Sequence, residues 1–306
     1  MYRYDKTYIY HNHMKLKELN NVTLIGLGLL GGSLGLSIAR SMNNVKRIGY
    51  SHRETTRTKA ISAGIVDSIT TNLADSVANA QLIILCSPIG TFKTILTEIK
   101  DRLQPGAIIT DVGSTKVLPN NWAKKYLPKD VTFIGSHPMA GSEQRGLDFS
   151  RADLFDHAPC IITPNKTSPS KDILLLKRFW EEIGMRVSTM TPLQHDKVLA
   201  QISHMPHALA VALINSTPKD QALLCGKGFL DTSRVASGDE SVWGDIFMSN
   251  AKNTDQAIGR LINELIRIQK ALKSPDHKQI NNLLCKAKDK RNNLVNQKIR
   301  RKELPL

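Results

Sequence analysis

The first residue that could do chemistry is a histidine, His137, in the stretch Gly135-Ser136-His137-Pro138-Met139-Ala140-Gly141. A histidine titrates near neutral pH, so it can take up or give back a proton under working conditions. The apolar run before it, Val131 to Ile134, reads as a buried strand that turns into a loop at the histidine. In an open α/β sheet, ligands bind at the carboxyl ends of the strands. On position alone, a turn histidine with only a hydrogen-bonding duty fits equally well.

Two further clusters carry chemistry. Ser203-His204-Met205-Pro206-His207 lies in a helical pattern that starts at Leu193. His204 and His207 are three apart, and Ser203 and His207 four apart, so each pair shares a helix face. Pro206 should kink the helix there. The HExxH spacing is absent and no third ligand is obvious, so no metal is expected. Structural histidines at an interface are the alternative. The second cluster is Gly228-Phe229-Leu230-Asp231-Thr232-Ser233-Arg234, with Trp243 and Asn250 beyond it. Arg234 could fork onto a carboxylate, held by Asp231 three residues earlier. The alternative is a surface ion pair of little worth.

A nucleotide loop precedes all of these. Gly26, Gly28 and Gly31 stand at GxGxxG spacing in Leu24-Ile25-Gly26-Leu27-Gly28-Leu29-Leu30-Gly31-Gly32-Ser33, after a strand and before a helix. The first glycine permits the tight turn. The second admits a pyrophosphate close to the backbone, and the third lets helix pack on strand. The free N–H groups of the helix start, Leu29 and Leu30 included, then face the phosphates. A second strand ends at Gly49-Tyr50-Ser51-His52-Arg53. It lacks the acid that receives the ribose hydroxyls of NAD. Ser51, His52 and Arg53, with Arg57 one turn on, suit a 2′-phosphate, so NADP is expected over NAD. Ser87 and Pro88 end another strand-like run toward the same crevice, as does Asp111-Val112-Gly113-Ser114-Thr115-Lys116. Ser114 or Thr115 is either a helix N-cap or a hydroxyl reaching nicotinamide or substrate.

The elements that must position these residues follow a pattern. From Asn21 to Pro192, apolar runs starting at Val22, Arg47, Leu82, Ala107, Val131, Pro159 and Arg186 alternate with helical spacings such as Phe92, Ile95, Leu96, Ile99 and Leu103. This predicts a doubly wound parallel α/β sheet over 21–192. From Leu193 to Lys290 the pattern is helical only, which predicts an all-α domain over 193–290. One helical face there is apolar enough to suggest a homodimer. Residues 1–20 read as a frayed arm or short edge strand, without the features of a signal or transit peptide. Residues 291–306 read as a basic, solvated helical tail.

Composition sets outer bounds. Hydrophobic residues make up 41% and charged residues 23%, an ordinary globular balance. No run of about twenty apolar residues suggests a membrane span. The net charge of +15 raises the question of nucleic acid. Aromatic content of 5% and the lack of any nucleic-acid motif argue against it. Cys86, Cys160, Cys225 and Cys285 form no CxxC pair, which points to reduced thiols in the cytoplasm.

Taken in order, Gly26 to Ser33, Asp111 to Lys116, Gly135 to Glu143, Ser203 to His207, and Gly228 through Asp231 and Arg234 to Trp243 resemble the prephenate/arogenate dehydrogenases of tyrosine biosynthesis. The resemblance covers Asn21 to Leu272. It implies a Rossmann-type domain followed by a helical dimerisation domain, and oxidative decarboxylation of a cyclohexadienol. It makes His137 the catalytic histidine, Ser114 its helper and Arg234 the carboxylate anchor. It puts His204, His207 and Glu143 on the active-site lining, and Leu230 where members often carry a basic residue. The likeness is strongest to NADP-using members that favour arogenate. Prephenate with NAD or NADP is the alternative, and a non-catalytic NADP sensor a more distant one.

Overall fold

The computed structural model describes residues 16–141 and 144–301. Glu143, most of the expected N-terminal arm and the last five residues of the tail lie outside them. The chain forms two compact units. One runs through Leu199 and includes Ser237–Asn250; the other holds Ala200–Ala236 and the chain from Ala251 onward.

The first unit is built on a six-stranded, wholly parallel sheet: β1 (Asn21–Ile25), β2 (Lys46–Tyr50), β3 (Ser68–Thr70), β4 (Leu82–Leu85), β5 (Ile108–Asp111) and β6 (Thr132–Phe133). Its order is β3-β2-β1-β4-β5-β6, the Rossmann arrangement. Helices α1 (Leu29–Ser41), α2 (Glu54–Ser62), α3 (Leu73–Ser76), α4 (Phe92–Ile99) and α5 (Val117–Tyr126) follow the strands. Alternate residues of each strand face opposite sides. Leu24, Leu82, Ile84 and Ile108 pack with Leu34 and Ile38 of α1. Ile25, Ile83, Leu85 and Ile109 pack with Phe92, Leu96 and Ile99 of α4. Both faces are covered, which is why these strands are nearly continuous in apolar residues.

The expected sheet needs correction in two places. β3, Ser68-Ile69-Thr70, is too short and polar to register as an apolar run. The runs at Pro159 and Arg186 do not extend the parallel sheet. At Ile134 the chain leaves it, and Gly135–Pro138 becomes β7, the edge of a separate sheet with β8 (Pro159–Thr163) and β9 (Arg186–Thr189). β7 pairs antiparallel with β8, placing His137 opposite Ile161. The histidine therefore sits in a strand and not in the loop expected after one. Gly135 permits this crossing: a Cβ there would meet Lys116 Cδ and Thr163 Oγ1 at 2.8 Å. Helix α6 (Ser170–Glu182) covers the small sheet with Leu175, Leu176, Phe179 and Trp180.

Helix α7 (Pro192–Leu199) groups with the first unit, so seven residues of the stretch expected as helical domain, 193–199, pack there. A π-helical turn, Ala200–His204, follows it, and α8 (Met205–Ser216) begins with Pro206 in its first turn. The expected irregularity at Pro206 takes the form of this π-helical turn just before it. The run 192–216 is long and apolar enough to cross a membrane by length and composition alone. That differs from the reading of the sequence; within the first unit its His195 and Asp196 are buried and hydrogen-bonded to each other. The second unit continues with α9 (Lys219–Ala222) and α10 (Lys227–Ser233). Helix α11 (Glu240–Ser249) returns to the first unit, where Asp245 Oδ2 accepts from Gly90 N (3.0 Å) and Thr115 Oγ1 bonds Ser249 Oγ (2.9 Å). α12 (Ala251–Leu272) and α13 (Lys278–Arg300) complete the second unit, which has helices and no strand among its described residues. No residue of α13 is buried.

Candidate active site

The glycine loop has the shape its spacing implies. Gly26 adopts φ +100°, and a Cβ on it would lie 2.8 Å from Ser87 N. A Cβ on Gly31 would lie 1.9 Å from Gly26 O, so only glycine lets α1 start this close to β1. Gly28, the N-cap of α1, has open space where its Cβ would be. Leu29 and Leu30 form the first turn of α1. Their unpaired N–H groups and the helix dipole, beside a gap at Gly28, fit a dinucleotide pyrophosphate.

At the end of β2, Ser51 is buried while His52 and Arg53 are exposed. The Arg57 guanidinium donates to the carbonyls of Ser51 and His52, both at 3.0 Å. It folds back over this strand end. No carboxylate occurs between Gly49 and Arg53. Ser87 Oγ bonds Thr91 Oγ1 at 2.8 Å, and Pro88 caps the short turn Ile89–Thr91.

His137 is anchored from two sides. Its neighbour Ser136 is stitched to the carboxyl end of β5: Ser136 N donates to Asp111 Oδ1 (3.2 Å), and Ser136 Oγ bonds Thr110 Oγ1 (2.7 Å). Trp180 Nε1 donates to the same hydroxyl (2.9 Å). Lys116 Nζ donates to Ser136 O (2.7 Å) and pairs with Asp111, both side chains fully buried. Burial pushes the Asp111 carboxyl up and the Lys116 amine down, each opposed by the charge of the other. The histidine itself meets a second imidazole: His137 Nδ1 and His195 Nε2 lie 2.9 Å apart. His195 Nδ1 is 2.8 Å from Asp196 Oδ1. Asp196 in turn accepts from the backbone N–H of Lys116 (2.7 Å) and of Val117 (2.8 Å), so it caps α5. Asn250 Nδ2 donates to its carbonyl (2.7 Å).

The cap of α5 is thus Asp196, and neither Ser114 nor Thr115. Ser114 is half-buried, three residues beyond β5, and its hydroxyl bonds no other described residue. Trp243 is half-buried on α11, its ring 5.7 Å from that of Phe247. His195 and Asp196 escaped the reading of the sequence. Their one signal is adjacency, His beside Asp at a helix start, and charged pairs at such positions are usually solvated.

The other expected residues fall on the second unit. Ser203 and His204 lie in the π-helical turn, with His204 buried and its Nδ1 3.4 Å from Thr254 Oγ1 of α12. His207 is buried on α8, and burial lowers its pKa. Arg234 is exposed just after α10. Both oxygens of Asp231 accept from Lys227, an exposed pair one turn apart, so its visible partner is a lysine on its own helix.

Two family models match this chain. Residues 34–189 fit the model described as prephenate dehydrogenase, nucleotide-binding domain, and residues 191–286 the one described as prephenate dehydrogenase, dimerization domain. The chain belongs to the prephenate/arogenate dehydrogenase family. It is accordingly a dehydrogenase working with a nicotinamide nucleotide. The cyclohexadienyl dehydrogenase of Zymomonas mobilis is 32% identical over 263 residues, 84% of this chain and 89% of that one. The prephenate dehydrogenase of Aquifex aeolicus, solved in complex with hydroxyphenyl propionate and NAD+, superposes with a TM-score of 0.84 at 32% identity, covering 90% of this chain and 98% of its own. The arogenate dehydrogenase of Synechocystis superposes with a TM-score of 0.78 at 28% identity, covering 90% and 99%.

Proposed function

We propose that this dehydrogenase oxidises and decarboxylates arogenate, with NADP as its preferred cofactor and His137 as its base. The observation that carries the reading is the setting of His137. It is a buried imidazole beside the carboxyl end of β5, tied through His195 to an acid, in the same unit as a dinucleotide loop. Gly26, Gly28, Leu29, Leu30 and Gly31 hold the pyrophosphate, Ser87 and Pro88 flank it, and Ser51, His52, Arg53 and Arg57 receive the 2′-phosphate. A nicotinamide held there would supply the hydride-accepting chemistry. His137 takes the proton of the ring hydroxyl, and the half-buried Ser114 hydroxyl holds that oxygen. Arg234 takes a substrate carboxylate in a bidentate grip, with Ser203, His204, His207, Glu143, Asp231 and Trp243 as further substrate contacts. Loss of carbon dioxide makes the ring aromatic and the step irreversible, so the protein need only position and polarise.

The substrate and cofactor choice rests on the end of β2, where no carboxylate stands to receive the ribose hydroxyls of NAD. Arogenate is supported by the likeness to the Synechocystis enzyme. A second reading, prephenate with NAD, is favoured by the Aquifex enzyme with its bound NAD+. The exposed apolar residues Ile262, Leu265, Ile266 and Leu272 of α12 support a homodimer through the domain named for dimerization. Four free cysteines suit a reducing cytoplasm.

A matrix of two substrates against two cofactors, followed by nicotinamide absorbance, tests the reading. Arogenate with NADP should give the highest kcat/KM. A higher value for prephenate with NAD would move the assignment to the second reading. Binding of NADP with no turnover of either substrate would leave a sensor.

A further inference from the structure

The chain of contacts behind His137 has a direction, and that direction selects one of its two tautomers. We infer that His195 and Asp196 are positioning residues that hold His137 with its proton on Nδ1, leaving Nε2 as the basic atom, and that protonation of His195 reverses this and switches the base off. The inference rests on His137 being the base.

The direction starts at α5. Asp196 accepts two backbone N–H groups at the helix start, one on each oxygen, at 2.7 and 2.8 Å. A carboxylate only accepts, so His195 Nδ1, 2.8 Å away, carries the hydrogen. A neutral His195 then presents a lone pair at Nε2. His137 Nδ1, at 2.9 Å, must donate to it. His137 therefore keeps a lone pair at Nε2. Once that atom has taken the ring-hydroxyl proton, the Nδ1–H still donates to His195 Nε2. The new positive charge then sits two hydrogen bonds from Asp196. No proton has to leave His137, and His195 stays neutral throughout.

The same geometry contains a failure mode. A protonated His195 would offer N–H at both nitrogens. His137 Nδ1 would have to accept, and its only proton would move to Nε2, the face that should be basic. The groups facing His195 set the pH at which this happens. Besides His137, these are Asp196 on its own helix, Lys116 at the start of α5 and Asp111 at the end of β5. Burial, foremost, and Lys116 oppose the charged form, while Asp196 and Asp111 favour it. The balance lies on the neutral side, as the inference requires.

The test uses the full-length enzyme and two variants. In the wild type labelled with ¹⁵N-histidine, His137 should show a protonated Nδ1 and an unprotonated Nε2. His195→Leu removes the acceptor and should lower kcat by about a hundredfold or more, with KM nearly unchanged. His195→Gln restores an acceptor that does not titrate. It should recover most of kcat and remove the acid limb of the kcat profile that His195 causes. His137→Asn, run alongside, reports on the base itself. If His137→Asn abolishes turnover while His195→Leu leaves kcat unchanged, or if Nε2 of His137 carries the proton, the positioning role is wrong and the base stands. If His137→Asn keeps near-normal kcat, the base assignment fails instead.

Discussion

The two glycines of the nucleotide loop should separate cofactor binding from folding. Gly28 has φ −89° and ψ −158°, a conformation that alanine adopts freely, and nothing within 4 Å of its missing Cβ. Gly28→Ala should therefore fold with unchanged stability. Its methyl would occupy the space through which a pyrophosphate approaches the N–H groups of Leu29 and Leu30. Loss of one hydrogen bond to a charged group costs about 1.5–3 kcal/mol, or about 10- to 150-fold in Kd at about 1.4 kcal/mol per decade. Gly31→Ala is the reverse case. Its Cβ would start 1.9 Å from Gly26 O, where real Cβ contacts under 3.0 Å essentially never occur, so backbone must move by more than 1 Å. Overpacking of this kind costs about 1–3 kcal/mol, at about 2–4 °C of Tm for each. Thermal denaturation of the apo proteins and calorimetric titration with NADP would read the two effects separately. Gly28→Ala should keep its Tm and lose affinity, whereas Gly31→Ala should lose both. Wild-type affinity in Gly28→Ala would refute the loop as the pyrophosphate site. An unshifted Tm in Gly31→Ala would refute the packing of α1 on β1.

Other perturbations probe the rest of the site. Arg53→Asp should move cofactor preference toward NAD by about tenfold or more, since it places an acid at the ribose edge and removes a partner for the 2′-phosphate; paired kcat/KM values for NADP and NAD would show it. Arg234→Ala should raise KM for the substrate by about tenfold or more with a smaller change in kcat, read by steady-state kinetics. Lys116→Met leaves Asp111 buried and uncompensated, and should cost about 3–5 kcal/mol in urea unfolding, with Lys116→Met/Asp111→Asn recovering part of it. His195 and His207 have lowered pKa values in the fold, so the unfolded chain binds more protons than the native one once pH falls toward their ordinary value of 6.5. Their contribution is complete above that value and is lost as pH drops through it and toward the folded pKa. Tm should therefore fall on acidification from pH 7, and His195→Gln should flatten that slope.

Much of this protein is written locally. The spacing of Gly26, Gly28 and Gly31 specifies a loop because steric freedom belongs to individual residues. Apart from β3, the strands of the parallel sheet announce themselves as apolar runs, and α4 by its helical spacing, since each must bury a face. Pro206 marks the break before α8 for the same local reason. What the sequence could not decide is where side chains distant in sequence meet. Gly135–Pro138 reads as the loop beyond a strand, and only pairing with Pro159–Thr163 makes it one. Beyond their adjacency, nothing local in the sequence singles out His195 and Asp196. Docking of α7 against the start of α5 turns the acid into a cap and the imidazole into the backing of His137, 58 residues away. Hydrogen bonds between such distant groups leave no period in the sequence, because their geometry exists only once the sheet has set the strand ends. The sequence by itself determined a dinucleotide fold and singled out His137 as a candidate base; the tertiary structure decided what stands behind that imidazole, His195 and then Asp196.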